Sequence, residues 1–347
     1  MLLVSDFTRA LRVGEGGGSL VDRSDKLYDL YQLSCRFRGF FWKAARIGER
    51  LSPWVACLYH FIFESNDGSL YSVPYNNHEA LSTQTKLDLQ FYRINYILGY
   101  VNGLVFASST KLHNKDYVHL VLNLTTKDYV ELPNLSQEFD FGMDGFGYDS
   151  VSDDYKVVHI SGLNSCVDVY SVRTNTWKLV SHSSYDYYKT WLGVFVNGFL
   201  HWIVKNHSKP VIVAFSLADE KLSELLPPNL YNEVDMVSHR YTKLVALGDK
   251  LAIFNEVKGD VWLMNEYGVQ KSWTKIVVHG FSKNPMVKPK VFFDNGKILF
   301  LTGELLSVYD VEKGTFCKSV DISYMNLRKV MGAYVESLVS PKFSKSS

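Results

Sequence analysis

The fold is decided by residues 193–225, GVFVNGFLHWIVKNHSKPVIVAFSLADEKLSEL. In the first half, apolar residues alternate on both sides of Asn197-Gly198, a dipeptide that supplies the positive φ of a tight hairpin turn. In the second half, the polar turn ADEK separates two further alternating segments, which indicates a second hairpin. An inner hairpin followed by an outer hairpin gives four antiparallel strands. The stretch therefore predicts one blade of a β-propeller.

The same unit recurs along the chain. Outer hairpins are predicted at 69–82, 119–132, 167–180, 211–225, 260–273 and 306–319, and inner hairpins at 96–109, 147–160, 193–204, 245–256 and 290–303. The residues just before the outer turns are Val73, Leu124, Val172, Leu217, Asn265 and Val311, so the spacing stays between 45 and 51 residues. A steady period of this length is typical of propeller blades.

The two ends of the chain predict how the ring closes. The first unit shows three strands, beginning with CLYHFIFES (57–65), and a leftover strand, AYVESLVS, lies at 333–340. A strand from one terminus that completes the sheet begun at the other removes exposed sheet edges. We therefore expect an all-β propeller of about six four-stranded blades, with a short helical or irregular N-terminal segment. A seventh, irregular blade within that segment is the alternative.

Composition narrows the class of protein. The chain has 347 residues, 46% of them hydrophobic, and 37 basic residues balance 36 acidic ones. This balance gives no general reason to bind nucleic acid or an anionic membrane. No apolar run is long enough to cross a bilayer, and the N-terminus lacks the uninterrupted apolar core of a secretory signal. We expect a cytoplasmic or nuclear protein.

Chemistry-bearing residues do not form a recognisable site. The four cysteines are widely separated without a C-x-x-C pair, the histidines are dispersed, and no G-x-S-x-G or phosphate-loop motif occurs. The adjacent acids Asp153 and Asp154 fall in a predicted turn, where carboxylates bond the backbone and neighbouring side chains diverge. No catalytic, cofactor-binding or metal-binding residue is predicted, and the protein is not expected to be an enzyme.

Large side chains in the hairpins are assigned to packing. Trp177, Trp262 and Trp273 are expected to fill the wedges between blades. His201 and Trp202 lie on opposite faces of one strand, so one should pack between blades and the other should face the ring surface.

Several motifs resemble those of one family. GFGYDSVSDDYKVVHI (145–160), VDVYSVRTNTWKLV (167–180), GVFVNGFLHWIV (193–204) and DVWLMNEYGVQKSWTK (260–275) are similar, in this order, to elements of plant F-box proteins with a type 1 F-box-associated β-propeller domain. The resemblance implies a subunit of a Skp–cullin–F-box ubiquitin ligase. In such a subunit an N-terminal helical F-box binds the Skp-type adaptor, and the propeller holds the target protein without performing chemistry.

The first fifty residues depart from this family. They contain no proline, whereas the family opens with L-P motifs, and their glycine run disfavours a helix. Only residues 35–54 resemble the last third of an F-box, with Phe37, Arg38 and Trp42 as the candidate adaptor-binding residues. We therefore divide the chain into a degenerate F-box-like or irregular segment (1–56), the propeller (57–341) and a tail (342–347).

Alternatives remain for the functional surfaces. Residues 36–50 are basic and, as a helix, would present an apolar face either to a partner or to the propeller itself. The chain is either a ligase subunit or an adaptor-free interaction module, with a propeller enzyme as a more distant reading. The sequence does not identify the target protein. The segments that depart most from a minimal blade are candidates for contacting it. These are 109–117, 134–146, 181–191, 205–210 and 226–242.

Overall fold

The computed structural model describes residues 59–65, 69–75, 85–134, 142–185, 192–206, 209–228, 242–256, 258–280, 287–293, 296–302, 305–321 and 327–342. The chain divides into two compact units, Met1–Cys57 and Leu58–Ser347. The described residues all belong to the second unit. Among them, no helix is long and apolar enough to cross a membrane.

The described strands form six four-stranded antiparallel sheets, which we number as blades 1–6 in chain order. Blade 1 starts with β1 (Tyr59–Ser65), β2 (Leu70–Tyr75) and β3 (Thr85–Leu87); blade 2 has β4 (Tyr92–Val101), β5 (Leu104–Lys111), β6 (Tyr117–Asn123) and β7 (Tyr129–Glu131). Blade 3 has β8 (Met143–Asp149), β9 (Asp154–Ile160), β10 (Cys166–Ser171) and β11 (Thr176–His182); blade 4 has β12 (Val194–Val196), β13 (Phe199–Asn206), β14 (Lys209–Ser216) and β15 (Lys221–Leu225). Blade 5 has β16 (Thr242–Leu247), β17 (Lys250–Asn255), β18 (Asp260–Met264) and β19 (Trp273–Val277); blade 6 has β20 (Val287–Phe293), β21 (Lys297–Thr302), β22 (Leu305–Asp310) and β23 (Thr315–Asp321). The last strand, β24 (Leu327–Val335), returns to blade 1.

The predicted six-bladed propeller is confirmed, and so is the use of Asn-Gly as hairpin turns. Asn197 and Gly198 have φ of 53° and 82°, and Asn102 and Gly103 have φ of 49° and 82°. These left-handed values match the right-handed twist of the strands that the turns join. The six sheets follow one another in chain order, and consecutive innermost strands contact each other from β24 through β4, β8, β12 and β16 to β20.

The ring closes through β24, but six residues earlier in the chain than predicted. β24 pairs antiparallel with β1, with Phe61 opposite Ala333, and begins at Leu327 rather than at residue 333. Two register shifts interrupt this ladder. Such bulges break the alternation of apolar and polar residues by which a strand is recognised, so the first half of β24 escaped the sequence pattern.

The apolar core consists of clusters that each join two neighbouring blades. One cluster between blades 4 and 5 contains Ile203 and Ile212 together with Trp262 and Trp273. Trp177 packs against the cluster between blades 2 and 3. The predicted role of these three tryptophans between blades is confirmed. Propeller stability therefore depends on interfaces between sheets as much as on any single sheet.

Hydrogen bonds from large side chains fix the same interfaces. Trp177 Nε1 donates to Pro133 O at 2.8 Å, and Trp273 Nε1 donates to Leu226 O at 3.1 Å. In each case, the donor is the first or second residue of the outermost strand of one blade, and the acceptor follows the outermost strand of the preceding blade. The repeated bond satisfies the indole N–H while the ring fills the interface.

His201 and Trp202 correct one prediction, because neither faces the ring surface. Trp202 is buried in the cluster between blades 3 and 4. His201 is also fully buried and bonds Val194 O through Nδ1 at 2.9 Å and the hydroxyl of Tyr267 in blade 5 through Nε2 at 2.7 Å. The two faces of β13 therefore contact two different neighbouring blades.

The C-terminal residues beyond β24 are held by Asn123. This buried amide donates from Nδ2 to Ser337 O at 2.8 Å and to Val339 O at 2.7 Å, while its Oδ1 accepts from the N–H of Thr125. At Gly103, a Cβ atom would lie 2.1 Å from Ser337 Cβ, so the close approach requires glycine. The residues that follow β24 thus fasten the closing strand of blade 1 to blade 2.

We expect Asn123→Ala to lower the free energy of unfolding by about 2–3 kcal/mol, because it removes four hydrogen bonds and leaves the carbonyls of Ser337 and Val339 without this donor. Urea unfolding followed by tryptophan fluorescence measures the change. Asn114→Ala, at an exposed asparagine of the same blade, is the control and should be nearly neutral. Equal destabilisation by the two variants would contradict the assigned role of Asn123.

Candidate interaction surface

The adjacent acids of blade 3, Asp153 and Asp154, form hydrogen bonds within their own blade. Asp153 lies at the β8–β9 turn with a φ of 54° and accepts a hydrogen bond from the hydroxyl of Tyr148. Asp154 is buried and accepts from the hydroxyl of Ser171 and from the backbone N–H of Arg173 at 2.9 Å. The two adjacent carboxylates thus bond to different side chains of the blade. This arrangement holds two hairpins of one blade together.

The described residues offer no metal site. Within them, no group of three or more His, Cys, Asp or Glu side chains is placed to hold a metal ion. Two open cavities lie at the rim, one of about 530 Å³ beside Lys111 and Glu131 in blade 2, the other of about 460 Å³ beside Lys275 and Lys313 in blades 5 and 6. Their linings are mostly charged or polar. The features of the surface that remain as candidates are the loops that connect the strands.

The strands that flank the five predicted target-contact segments end on one side of the ring. We call this side the loop face; it carries the connection between the second and third strands of each blade and the start of each innermost strand. Segments 109–117 and 205–210 join second to third strands, whereas 134–146, 181–191 and 226–242 lead into the next innermost strand. The opposite side, the turn face, carries the Asn-Gly turns. The strand ends that flank all five segments therefore lie at the loop face.

Exposed apolar side chains accumulate at the same face. Phe91 precedes β4, Tyr117 starts β6 and Leu163 lies between β9 and β10, with exposed fractions of 60%, 78% and 83%. Leu112, Leu192 and Leu305 are also exposed at this face. The backbone N–H of Leu112 donates to Phe91 O at 3.0 Å, which brings two of these loops together. Exposed apolar side chains on neighbouring loops mark a protein interaction site where they form a contiguous patch.

Sequence reasoning proposed the loops as target contacts, which stays a prediction, and it did not identify these exposed side chains. The alternation of apolar residues does not reveal which apolar residue lies outside a sheet. The candidate adaptor-binding residues Phe37, Arg38 and Trp42, and the whole basic segment 36–50, lie outside the described residues. Their role stays a prediction.

His201 gives the interface between blades 4 and 5 a pH dependence. Burial lowers the pKa of His201 to about 4, against the opposing effect of its backbone hydrogen bond. In the unfolded chain the imidazole takes up its proton near its ordinary pKa of about 6.5. As the pH falls, the unfolded state therefore binds the proton before the folded state does. The free energy of unfolding decreases between about pH 6.5 and about pH 4, and the loss at pH 4 is about 3 kcal/mol.

Urea unfolding at several pH values tests this effect. His201→Gln keeps a donor and an acceptor but cannot titrate, so the loss of stability between pH 7 and pH 4 should be smaller in the variant. The exposed His182→Gln should leave the pH dependence of the wild type unchanged. Parallel curves for wild type and His201→Gln would contradict the prediction.

Comparison with known proteins agrees with this architecture. The family model for the F-box associated beta propeller domain matches residues 58–337. The F-box protein CPR1 of Arabidopsis thaliana is 27% identical over 289 residues, which cover 70% of this chain and 66% of that protein. An F-box/kelch-repeat protein of the same plant is 28% identical over 214 residues, covering 57% of this chain and 56% of that protein. The chain spans about half to two thirds of the length of the curated relatives that it matches.

A solved structure shows the same fold. A chain from a nidogen/laminin complex aligns with a TM-score of 0.50 over 80% of this chain and 98% of that chain. The sequence identity is 11%, so the likeness concerns the fold alone.

Proposed function

Because the chain belongs to the F-box associated β-propeller family, we propose that it is the target-recognition subunit of a Skp–cullin–F-box ubiquitin ligase in the cytoplasm or nucleus. The propeller binds a target protein, and residues 1–56 bind the Skp-type adaptor through Phe37, Arg38 and Trp42. The ligase then carries out the chemistry, and this chain performs none.

One observation supports target binding above the others. The loop face combines the variable connections of the blades with exposed apolar side chains such as Phe91, Tyr117 and Leu163. A rigid ring that presents variable loops is suited to specific protein recognition, because the loops change without disturbing the core. The hydrogen bonds of Asp153 and Asp154 to residues of their own blade fit the same view.

An adaptor-free interaction module is the second candidate. It is favoured by the first fifty residues, which lack proline and contain a glycine run where the family has an F-box helix. Such a module would bind the same kind of target without delivering it for ubiquitination.

Co-purification with a Skp-type adaptor separates the two candidates. The full chain is co-expressed with the adaptor beside a relative that carries an intact F-box, and both are captured by a tag on the F-box-associated chain. The ligase role predicts adaptor in both captures and its loss in a Phe37→Ala, Trp42→Ala variant. Recovery of adaptor with the control alone would overturn the ligase role and favour the adaptor-free module.

A further inference from the structure

Blade 3 carries a cysteine and a histidine side by side at one end of its outer hairpin. Cys166 is the first residue of β10 and His182 is the last residue of β11, and the two stand opposite each other in the ladder. Cys166 Sγ lies 3.5 Å from His182 Nε2, a distance at which the thiol donates a hydrogen bond to the imidazole. Cys166 is half-buried and His182 is exposed, so a dissolved molecule can reach the pair.

Strand register sets the contact between the thiol and the imidazole. Residues directly opposite each other in an antiparallel ladder point to the same side of the sheet. A register shift between Val167 and Asp168 interrupts the pairing of β10 with β11 one residue from the pair. Such bulges redirect neighbouring side chains and are frequent beside functional sites. The pair therefore belongs to the sheet itself and does not depend on the conformation of a long loop.

Hydrogen bonds fix the backbone around the thiol. The N–H of Cys166 donates to Asn164 Oδ1 at 3.0 Å, and its carbonyl accepts from the N–H of Ser161 at 2.9 Å. Beyond the pair, the N–H of Ser183 donates to Ser165 O at 2.7 Å and extends the hairpin by one more contact. The thiol is thus held beside the imidazole before any reagent arrives, which lowers the entropic cost of a reaction there.

A carboxylate interacts with the same imidazole. Asp168 lies on β10, two residues after Cys166. Burial raises the pKa of Asp168, and the charges of His159 and His182 oppose this rise. The carboxylate therefore stabilises a proton on His182. A cysteine thiol beside an imidazole, with a third group acting on that imidazole, is the arrangement that activates cysteine as a nucleophile.

The pair is suited to reaction of the thiol rather than to metal binding. A structural zinc ion takes four protein ligands, and a catalytic zinc ion takes three. In the part of the chain that the structure describes, no three His, Cys, Asp or Glu side chains are placed to hold a metal ion. A thiolate needs no further ligand to attack a disulfide, and the imidazole supplies the base that generates it.

We propose that Cys166 is a site of reversible thiol modification, at which it exchanges with a small disulfide such as oxidised glutathione while His182 acts as the base. The thiol proton passes to His182 Nε2, and the thiolate sulfur attacks one sulfur of the disulfide. The bond between the two sulfurs of the reagent breaks as the bond to Cys166 Sγ forms. The leaving thiolate takes the proton from the imidazolium. The products are a mixed disulfide on the protein and one small thiol.

The modification site lies at the loop face. β10 begins and β11 ends at this face, and His182 belongs to the predicted target-contact segment 181–191. A group attached to Cys166 would therefore stand at the face that is proposed to bind the target. The reactivity of Cys166 does not depend on that function, because it arises within one hairpin. Loss of adaptor capture would leave it unchanged.

Cys317 supplies a matched comparison within the same chain. It is exposed, whereas Cys166 is half-buried. Its thiol donates to Val308 O at 3.4 Å, so its described partner is a carbonyl and not an imidazole. If exposure alone set the rate of reaction, Cys317 would react faster than Cys166. The proposal predicts the reverse order.

Site-resolved kinetics on the full chain test this order. Oxidised glutathione is added at neutral pH, unreacted thiols are blocked with iodoacetamide at successive times, and peptide mass spectrometry gives the rate at each cysteine. We expect Cys166 to acquire glutathione on the order of tenfold faster than Cys317, and dithiothreitol to remove it. A rate at Cys166 equal to or below that at Cys317 would overturn the proposal. So would an adduct that dithiothreitol does not remove.

His182→Gln tests the role of the imidazole, because glutamine is polar but cannot act as a base. We expect the variant to lower the rate at Cys166 to about that of Cys317 and to leave the rate at Cys317 unchanged. His113→Gln removes another exposed imidazole at the loop face and should change neither rate. Thermal unfolding of both variants checks that the fold is kept. An unchanged rate at Cys166 in a folded His182→Gln chain would refute the assigned base. If this variant does not fold, the two wild-type rates decide the proposal.

Discussion

Replacing Lys156 with methionine is expected to lower the free energy of unfolding by about 3–5 kcal/mol, one of the largest effects of any single substitution in the ring. Lys156 lies on β9 of blade 3 and is 8% exposed. Its Nζ donates to Leu217 O of blade 4 at 2.7 Å and lies 3.0 Å from Asp149 Oδ2 and 3.3 Å from Glu220 Oε1. One buried ammonium thus joins two blades and two carboxylates.

The loss is large because Asp149 is itself buried. Burial opposes ionisation of its carboxyl, but hydrogen bonds from Ser152 and Lys156, with the charge of Lys156, outweigh it and hold the pKa of Asp149 below its usual range. Methionine fills a similar volume but leaves the carboxylate without its cation. Breaking a buried ion pair from one side costs far more than removing an exposed one.

Lys178 supplies the matched control. Its Nζ is 2.9 Å from the same Glu220, but its side chain is 69% exposed. Lys178→Met should therefore cost less than about 1 kcal/mol. Urea unfolding of both variants at pH 7 makes the comparison, and similar losses from both would show that Lys156 is not a buried link between blades.

Removal of the closing strand should have the second large effect. A chain that ends after Asp321 lacks β24, so β1 keeps its pairing with β2 and exposes its other edge at the centre of the ring. An exposed edge in an otherwise closed ring is a site for pairing with other chains. We expect this chain to aggregate on expression or to lack a cooperative thermal transition.

A shorter truncation tests whether the effect belongs to the strand. A chain that ends after Lys342 keeps β24 and also keeps Ser337 and Val339, whose carbonyls accept hydrogen bonds from Asn123. It should unfold with the midpoint of the full chain. If the chain lacking β24 remains soluble with an unchanged midpoint, closure by the C-terminal strand is not what holds the first blade.

Local patterns predicted most of this fold. Hairpins such as 193–204 are specified by alternating apolar residues and an Asn-Gly turn, both of which act over a few residues, so the sequence displays them directly. The period of these hairpins then predicted six blades. Because these signals are local, the prediction failed where a strand is locally irregular. The start of β24 was misplaced because bulges at Arg328 and Met331 interrupt its alternation.

The tryptophans between blades were predictable, but the specific partners of polar side chains across the blade interfaces were not. One of His201 and Trp202 was expected to face the ring surface, but both faces of β13 are covered by neighbouring blades. The partners of Lys156 in blade 4 lie about sixty residues along the chain, beyond any local pattern.

Disulfide cross-linking across the closing ladder tests the central claim, a ring closed by the two ends of the propeller. Glu64 and Lys329 stand opposite each other in β1 and β24. In a chain whose four native cysteines are replaced by serine, Glu64→Cys and Lys329→Cys should form one intramolecular disulfide under mild oxidation, identified by mass spectrometry. Thr242→Cys with Asn255→Cys, paired within blade 5, is the positive control. A control pair that forms its disulfide while the 64–329 pair stays reduced, or links only between molecules, would contradict a closed ring.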